Sequence, residues 1–325
     1  MKKTPQSMPL AISALTIFGP VPSRRLGQSL GIGNVLPKTC SYSCVYCQVG
    51  PTPATEIEPR TFWSCGMVVE AVTRHVEKLR ERGEPVDFLT FVPDGEPTLD
   101  RDLGKEIDGL RSLGIPIAVI SNGSLVWRQD VRAALGKADW VSLKVDAADE
   151  ATWRKVNRPH ASLGMAAVLE GMLRFATEFH GELATETMLI QNVNDSNSAI
   201  EAAATFVERI RPRTAYIAAP TRPPAEPWVR PAGEEAMNRA FQRFADRLPH
   251  VELLTGFEGI GFGTTGHVVQ DLLAITAVHP MREDAVLALL TKNQADRAVL
   301  DRLVADGVLR PVTYRDHIFY LRRFS

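Results

Sequence analysis

Cysteine is scarce in this chain of 325 residues, which has only 4. That is too few to staple a fold of this size, so a disulfide scaffold is excluded. An excess of one charge is missing too. Lys and Arg number 37 against 38 Asp and Glu, for a formal net charge of -1. No basic field therefore covers the whole molecule, and any grip on nucleic acid would fall to a local patch. No apolar run reaches the ~18–20 residues that span a bilayer, so no membrane partner is expected. Repeats and low-complexity segments are lacking as well. What is present, 45% hydrophobic and 23% charged residues, is the composition of a folded soluble protein. At roughly 150 residues per domain the length suggests two domains, although an α/β barrel alone uses about 200–250.

The chain opens Met-Lys-Lys and carries an apolar stretch from Met8 to Gly19, an outline close to a short signal peptide. No small-x-small cleavage site follows, and the segment runs into Pro20, Val21, Pro22, Ser23, Arg24 and Arg25. An N-terminal extension over 1–17 on a cytoplasmic protein is the expectation. Clustered thiols fit a reducing compartment.

From residue 66 onward, short β-branched runs alternate with helical periodicity. Val68, Val69, Val72, Val76 and Leu79 share one helical face, which Gly83 and Pro85 terminate. After a first strand over 27–35, the spans 88–92, 115–120, 140–145, 185–190, 214–219 and 251–255 read as strands. Helical stripes fall between them at 103–113, 131–135, 163–175, 199–210 and 237–248. Repeated units of this kind imply parallel strands with right-handed crossovers, in a barrel or a doubly wound sheet.

Polar clusters follow the strands: Asp94-Gly95-Glu96, Ser121-Asn122-Gly123, Lys144 with Asp146, Asn194-Asp195, and the proline-rich 220–231. Both architectures build their sites at strand carboxyl ends. Five glycines (256, 259, 261, 263 and 266) then mark a hinge or a loop close to a ligand. Beyond it, helices over 285–290 and 298–304 and strands over 308–314 and 318–321 outline a winged-helix-like domain at 267–325. That span carries eight Lys or Arg against seven Asp or Glu, a weak charge for a phosphate-binding surface. Docking of a protein or peptide, or capping of the barrel, is at least an equal expectation for it.

Cys40, Cys44 and Cys47 form a C-x3-C-x2-C arrangement. Three soft thiolates this close suit one compact metal centre, zinc or iron–sulfur. A structural zinc needs a fourth ligand, and Cys65 is the only other cysteine. That leaves a zinc-bearing winged-helix regulator as the non-enzymatic alternative.

The spacing, with Tyr46 just before the last cysteine, resembles the signature of the radical S-adenosylmethionine (radical SAM) superfamily. Gly95, Glu96 and Pro97 resemble that superfamily's Gly-Gly-Glu segment, whose first glycine is Asp94 here. The resemblance covers 18–260. The run 18–27 and the segment Asn157-Arg158-Pro159-His160 are similar to iron–sulfur oxidoreductases grouped with wyosine-synthesis (4-demethylwyosine synthase-like) proteins.

The resemblance implies a partial (β/α)6-type TIM barrel and two cofactors, a [4Fe–4S] cluster on Cys40, Cys44 and Cys47 and S-adenosylmethionine. It implies cofactor contacts from Tyr46, Gly95, Glu96, Pro97, Ser121, Asn122, Lys144 and Asn194, with Lys144 and Asp146 as catalytic candidates. It also implies an electron donor such as flavodoxin or ferredoxin. The substrate stays open between RNA or a nucleotide and a protein or peptide, the latter including a glycyl-radical-activase-like role.

Overall fold

A computed structural model describes residues 15–323. Eight strands form one sheet in sequence order: β1 (Thr16–Ser23), β2 (Gly27–Gly33), β3 (Phe88–Phe91), β4 (Ile117–Ser121), β5 (Trp140–Lys144), β6 (Glu182–Met188), β7 (Thr214–Ala218) and β8 (Val251–Leu254). β1 is antiparallel to β2, and every pair from β2 to β8 is parallel. The crossovers are α1 (Cys65–Glu81), α2 (Leu103–Leu110), α3 (Gln129–Leu135), α4 (Glu150–Asn157) with α5 (Met165–Glu178), α6 (Asn197–Ile210) and α7 (Glu234–Ala245). β1 and β8 are sheet edges that do not pair. The result is an α/β partial barrel of six strand–helix units, β2 to α7, with β8 following.

Side-chain alternation sets the layers. On β4, Ile117 and Val119 join the core shared with the helices, whereas Ala118 and Ile120 join the cluster inside the barrel. Phe88 and Trp140, the first residues of β3 and β5, are in that inner cluster too. Rings thus fill the amino-terminal end, and the carboxyl end is left to smaller and polar side chains. Outside, α1 is capped by Ser64, whose side chain accepts from the Met67 amide, and it buries Val68, Val72, Val76 and Leu79. Burial of such side chains stabilises by about 1.5–3 kcal/mol each.

Three elements differ from the sequence reading. The expected extension over 1–17 lies outside the described residues up to 14, and from Thr16 the chain is already β1. Pro20 and Pro22 suit an edge strand, and the register shifts between Phe18 and Val21. α4 is a second helix before β6. The third is α8 (Val268–Val278), apolar around most of its circumference and so without a helical stripe to read.

After α8 come β9 (Met281–Arg282), α9 (Glu283–Lys292), α10 (Ala298–Ala305), β10 (Leu309–Tyr314) and β11 (His317–Arg322). The three strands form a small antiparallel sheet in the order β10-β11-β9. Leu272, Ile275 and Val278 of α8 share one apolar core with Phe18 and Val21 of β1. The C-terminal unit is therefore welded to the barrel edge. The glycine-rich strap between β8 and α8 reaches the same edge, where the Gly263 amide donates to the Pro20 carbonyl at 2.7 Å. A Cβ on Gly263 would meet Pro20 Cδ at 2.3 Å, so only glycine fits. Among the described residues no helix is long and apolar enough to cross a membrane.

Candidate active site

The loop from β2 to α1 carries the three clustered cysteines, and the backbone zips it down on two sides. On one side the Lys38 amide donates to the Asp94 carbonyl at 2.7 Å and the Glu96 amide to the Thr39 carbonyl at 2.9 Å. A Cβ on Gly95 would lie 2.1 Å from that Thr39 oxygen. Glycine is needed here because the thiol loop itself comes so close. On the other side Ser43 donates to Asn157 at 3.0 Å, Val45 to Val156 at 2.9 Å and His160 to Ser41 at 2.9 Å, all through backbone. The segment 157–160 is thus a clamp on the thiol loop. Trp153 supports it, donating through Nε1 to the Tyr42 hydroxyl at 3.1 Å.

Cys40, Cys44 and Cys47 are half-buried on the wall of a cavity of about 330 Å³. Burial pushes the Cys40 thiol well above its ordinary range, with Glu96 adding to the effect. Burial and Asp146 push Cys44 up to about 12. Cys47 is raised by burial against the opposing pull of Lys38. Two thiols have side-chain amide donors: Asn122 Nδ2 lies 3.6 Å from Cys40 Sγ, and Asn157 Nδ2 lies 3.4 Å from Cys44 Sγ, while Cys47 has the Val49 backbone amide.

Cys65 opens α1, is absent from the cavity wall, and has Glu106 and Asp102 as its charged neighbours. Among the described residues no three His, Cys, Asp or Glu side chains are placed to hold a single metal ion. Cys65 therefore does not share a wall with the other three thiols. Three soft donors on one cavity, each with an amide donor in place, fit a cluster whose loading would release their protons.

Tyr46, Gly95, Glu96, Ser121, Asn122 and Lys144 line the same cavity. Glu96 is buried. Its Oε1 accepts from the Thr98 amide (3.1 Å), the Thr98 hydroxyl (2.6 Å) and the Ser121 hydroxyl (2.7 Å). Its Oε2 accepts from the Asn122 amide at 2.8 Å. Burial raises this carboxyl while those donors pull it back. Asp94, at the position of the family's first glycine, is pushed up to about 6 by burial against the pull of Lys38, whose Nζ lies 3.2 Å away.

Pro97, Asp146 and Asn194 do not line that cavity. Pro97 opens a 3-10 turn over Pro97–Leu99. Asn194 commits its amide to backbone, donating to the Asp146 and Met188 carbonyls at 2.8 Å each and accepting from the Ile190 amide at 2.8 Å. Asp146 receives the Tyr46 hydroxyl, the Asn157 amide (2.7 Å) and the Met188 amide (2.8 Å).

Opposite the thiols, Glu186 on β6 bridges Lys144 and Arg25. Burial works against its charge, yet the two cations hold Glu186 at about 2. Burial opposes the Lys144 ammonium likewise, and Glu186 with Asp146 raises it. Lys144 also sits 5.2 Å from the centre of the Tyr46 ring. Sequence reasoning missed Glu186. The available signal was the alternation Ala184, Glu186, Met188, which puts a carboxylate on the inner face of β6.

The sequence pattern of the Radical SAM superfamily matches residues 34–202. The chain belongs to that superfamily. Similar to it is the UPF0026 protein MJ1312 of Methanocaldococcus jannaschii, 43% identical over 310 residues and covering 95% of this chain and 96% of that one. Among solved structures, TYW1 with a lysine-pyruvate adduct bound has a TM-score of 0.53 at 16% identity, over 68% of this chain and 74% of that one. Streptococcus suis SuiB bound to S-adenosylmethionine has a TM-score of 0.51 at 12% identity, over 77% of this chain and 53% of that one. These likenesses show the partial-barrel fold. Radical SAM proteins are enzymes that use a [4Fe–4S] cluster and S-adenosylmethionine, and those are the cofactors here.

This radical SAM cavity has a mouth built outside the matched segment. Arg222 from the loop after β7, Glu258 from the strap and His279 after α8 all line it. Arg222 donates to Glu258 Oε2 at 2.6 Å and to His279 Nε2 at 3.0 Å. An acceptor at Nε2 makes His279 neutral, in keeping with burial and Arg222 driving it down to about 3. Burial would raise Glu258, but the Arg222 guanidinium, with Arg25 beyond it, keeps it below the usual carboxylate range. None of these three was a sequence-level site residue beyond Arg222, which was read as part of the proline-rich loop.

Proposed function

We propose that Cys40, Cys44 and Cys47 hold the [4Fe–4S] cluster from three sides, and that the enzyme reductively cleaves S-adenosylmethionine at the position left open. The observation that carries this reading is the meeting of three half-buried thiols with Gly95, Glu96, Asn122 and Lys144 on one cavity. When bound, the cluster would supply the one electron needed to break the sulfonium carbon–sulfur bond of S-adenosylmethionine, giving methionine and a 5′-deoxyadenosyl radical.

The residues divide the remaining work. Asn122 and Asn157 donate to two of the sulfurs. Glu96 Oε2 accepts only the Asn122 amide among the described residues, which leaves it room for the methionyl ammonium beside Gly95. Lys144 is the cation for the methionyl carboxylate. Tyr46 packs under Lys144, while Asp146 acts through Tyr46 and Asn157 and is a positioning residue. Pro97, Ser121 and Asn194 hold the loops that carry these groups.

The substrate in this reading is anionic, a nucleotide or an RNA end. Its support is Arg24, a cavity residue whose guanidinium donates to the Leu253 and Gly256 carbonyls and has no carboxylate partner among the described residues. A flavodoxin or ferredoxin supplies the electron. Four free cysteines support a cytoplasmic setting. The order of α8–α10 and β9–β11 supports a winged-helix-like C-terminal unit.

The test is anaerobic reconstitution followed by dithionite and S-adenosylmethionine. About four irons and four sulfides per chain, with 5′-deoxyadenosine as product, are expected. Cys40→Ala, Cys44→Ala and Cys47→Ala should each abolish product while Cys65→Ala retains it. A fully loaded protein that cleaves nothing overturns the reading.

A further inference from the structure

Three segments far apart in the chain converge beside Cys47. Gln48, the next residue, accepts from Arg222 Nη1 at 3.2 Å through its side-chain oxygen. Its Nε2 donates to the carbonyl of Val278, the last residue of α8, at 2.9 Å. Arg222 is 15% exposed and divides its second nitrogen between Glu258 and His279. The His279 ring meets Phe262 edge-on at 5.6 Å, and Phe262 belongs to the apolar core of the C-terminal unit. A continuous line of contacts thus runs from the third cysteine to that core. The superfamily match ends at residue 202, so Arg222, Glu258 and His279 lie outside the matched segment.

A guanidinium this desolvated, with three acceptors on three segments, is costly to misplace. Moving any one segment strands a buried charge or a polar atom. The connection to the thiol loop is also directional, because Gln48 has one hydrogen bond to Arg222 and one to α8. Cys40 and Cys44 have side-chain amide donors from the barrel, whereas Cys47 has the Val49 amide of its own loop. That end of the loop is tied by Lys38 to the Val49 carbonyl and by this outer line through Gln48.

We propose that Arg222 is a positioning residue that fixes the Cys47 end of the thiol loop through Gln48 and ties it through His279 and Glu258 to the C-terminal unit. That unit is then the cap that shields the cluster pocket from water and dioxygen. The inference rests on the cluster reading above for its purpose, but its geometry concerns the protein alone.

The experiment therefore starts with cluster-free full-length protein, alkylated by iodoacetamide and followed cysteine by cysteine by mass spectrometry. In Arg222→Gln, Cys47 should react about tenfold faster while Cys65 keeps its rate, as expected when a charge-assisted hydrogen bond no longer opposes local opening. Gln48→Ala should reproduce the effect, and Arg222→Lys should recover part of the protection. Arg302→Gln, exposed on α10, should change nothing. With the cluster loaded, Arg222→Gln and Gln48→Ala should lose their visible absorption in air about tenfold faster than the parent.

Parent-like Cys47 rates in Arg222→Gln and Gln48→Ala, with circular dichroism unchanged, overturn the proposal. Equal acceleration of all four thiols in Gln48→Ala overturns it as well, because general loosening would then be the cause. A parent protein that binds no iron defeats the cluster reading separately, and the alkylation result still decides the clamp.

Discussion

The wall that carries Cys40, Cys44 and Cys47 and the wall that carries Arg25, Lys144 and Glu186 face one cavity but are held by different physics. The thiol wall is backbone on backbone, with residues 38–45 paired to 94–96 on one side and 156–160 on the other. Of its carboxylates, Glu96 rests on neutral donors from Thr98, Ser121 and Asn122, while Asp94 pairs with Lys38 at the rim. The opposite wall is made of charges, Glu186 between two cations, and Arg222 against Glu258 joins the two walls at the mouth through Gln48. Neutral hydrogen bonds each contribute about 0.5–1.5 kcal/mol and tolerate small losses, whereas breaking a buried ion pair costs about 3–5 kcal/mol. The first wall should therefore be sensitive to shape and the second to charge.

The sharpest way to break that contrast is Glu186→Gln. It keeps the shape and strands Lys144 and Arg25, so a loss of about 3–5 kcal/mol is expected by urea titration. The pH dependence has a definite sign. Glu186 is held at about 2 from an ordinary 4.5, so its contribution is complete above the ordinary value and is lost as pH falls through the folded one. The parent should weaken on acidification over that range, and Glu186→Gln should lack this component. A variant as stable as the parent would mean that the far wall is not held by charge.

Gly95→Ala tests the other wall by shape alone. Its Cβ would sit 2.1 Å from the Thr39 carbonyl and 3.0 Å from Val35 Cγ2. The thiol loop has to lift, at about 2–3 kcal/mol, within the range for overpacked sites. Iron retention should fall along with the melting temperature. Unchanged iron content and stability would show that the loop does not need this close approach.

Contiguity explains which parts the sequence disclosed. The three cysteines, Gly95 with Glu96 and Ser121 with Asn122 lie in short runs after strands, where local pattern and position both point to a site. The barrel was legible for the same reason, since each strand and most helices carry their own period. On the far wall Lys144 lies in such a run, with Asp146, but its partners do not. Arg25 and Glu186 are 161 positions apart, and Arg222 and His279 are 57 apart, so only the closing of the barrel brings them together. Asn194 shows the converse difficulty. It sits after a strand as a ligand-facing residue would, yet its amide ties three backbone groups. The residue type and position are the same in both roles. β1 was obscured by its likeness to a leader and by its two prolines, and α8 by burial on most sides.

The smallest expected effect concerns a carboxyl pair behind the thiol wall. Asp100 follows the 3-10 turn at Pro97–Leu99, and Asn34, just after β2, donates to the Pro97 carbonyl at 3.1 Å. Glu106 on α2 lies beside Asp100, and burial pushes both carboxyls up, Glu106 further because of Asp100. The folded pair holds a proton that the unfolded chain has released, so stability should fall as pH rises across neutrality. That slope is opposite in sign to the one Glu186 gives. Glu106→Gln keeps the shape, donates to Asp100 and carries no such proton, so it should flatten the alkaline slope. A change of about 1 kcal/mol across neutrality is expected. Melting temperatures from roughly pH 6 to 9 measure it. Parallel curves for parent and variant would remove the alkaline half of the contrast and leave the acid half standing on Glu186 alone.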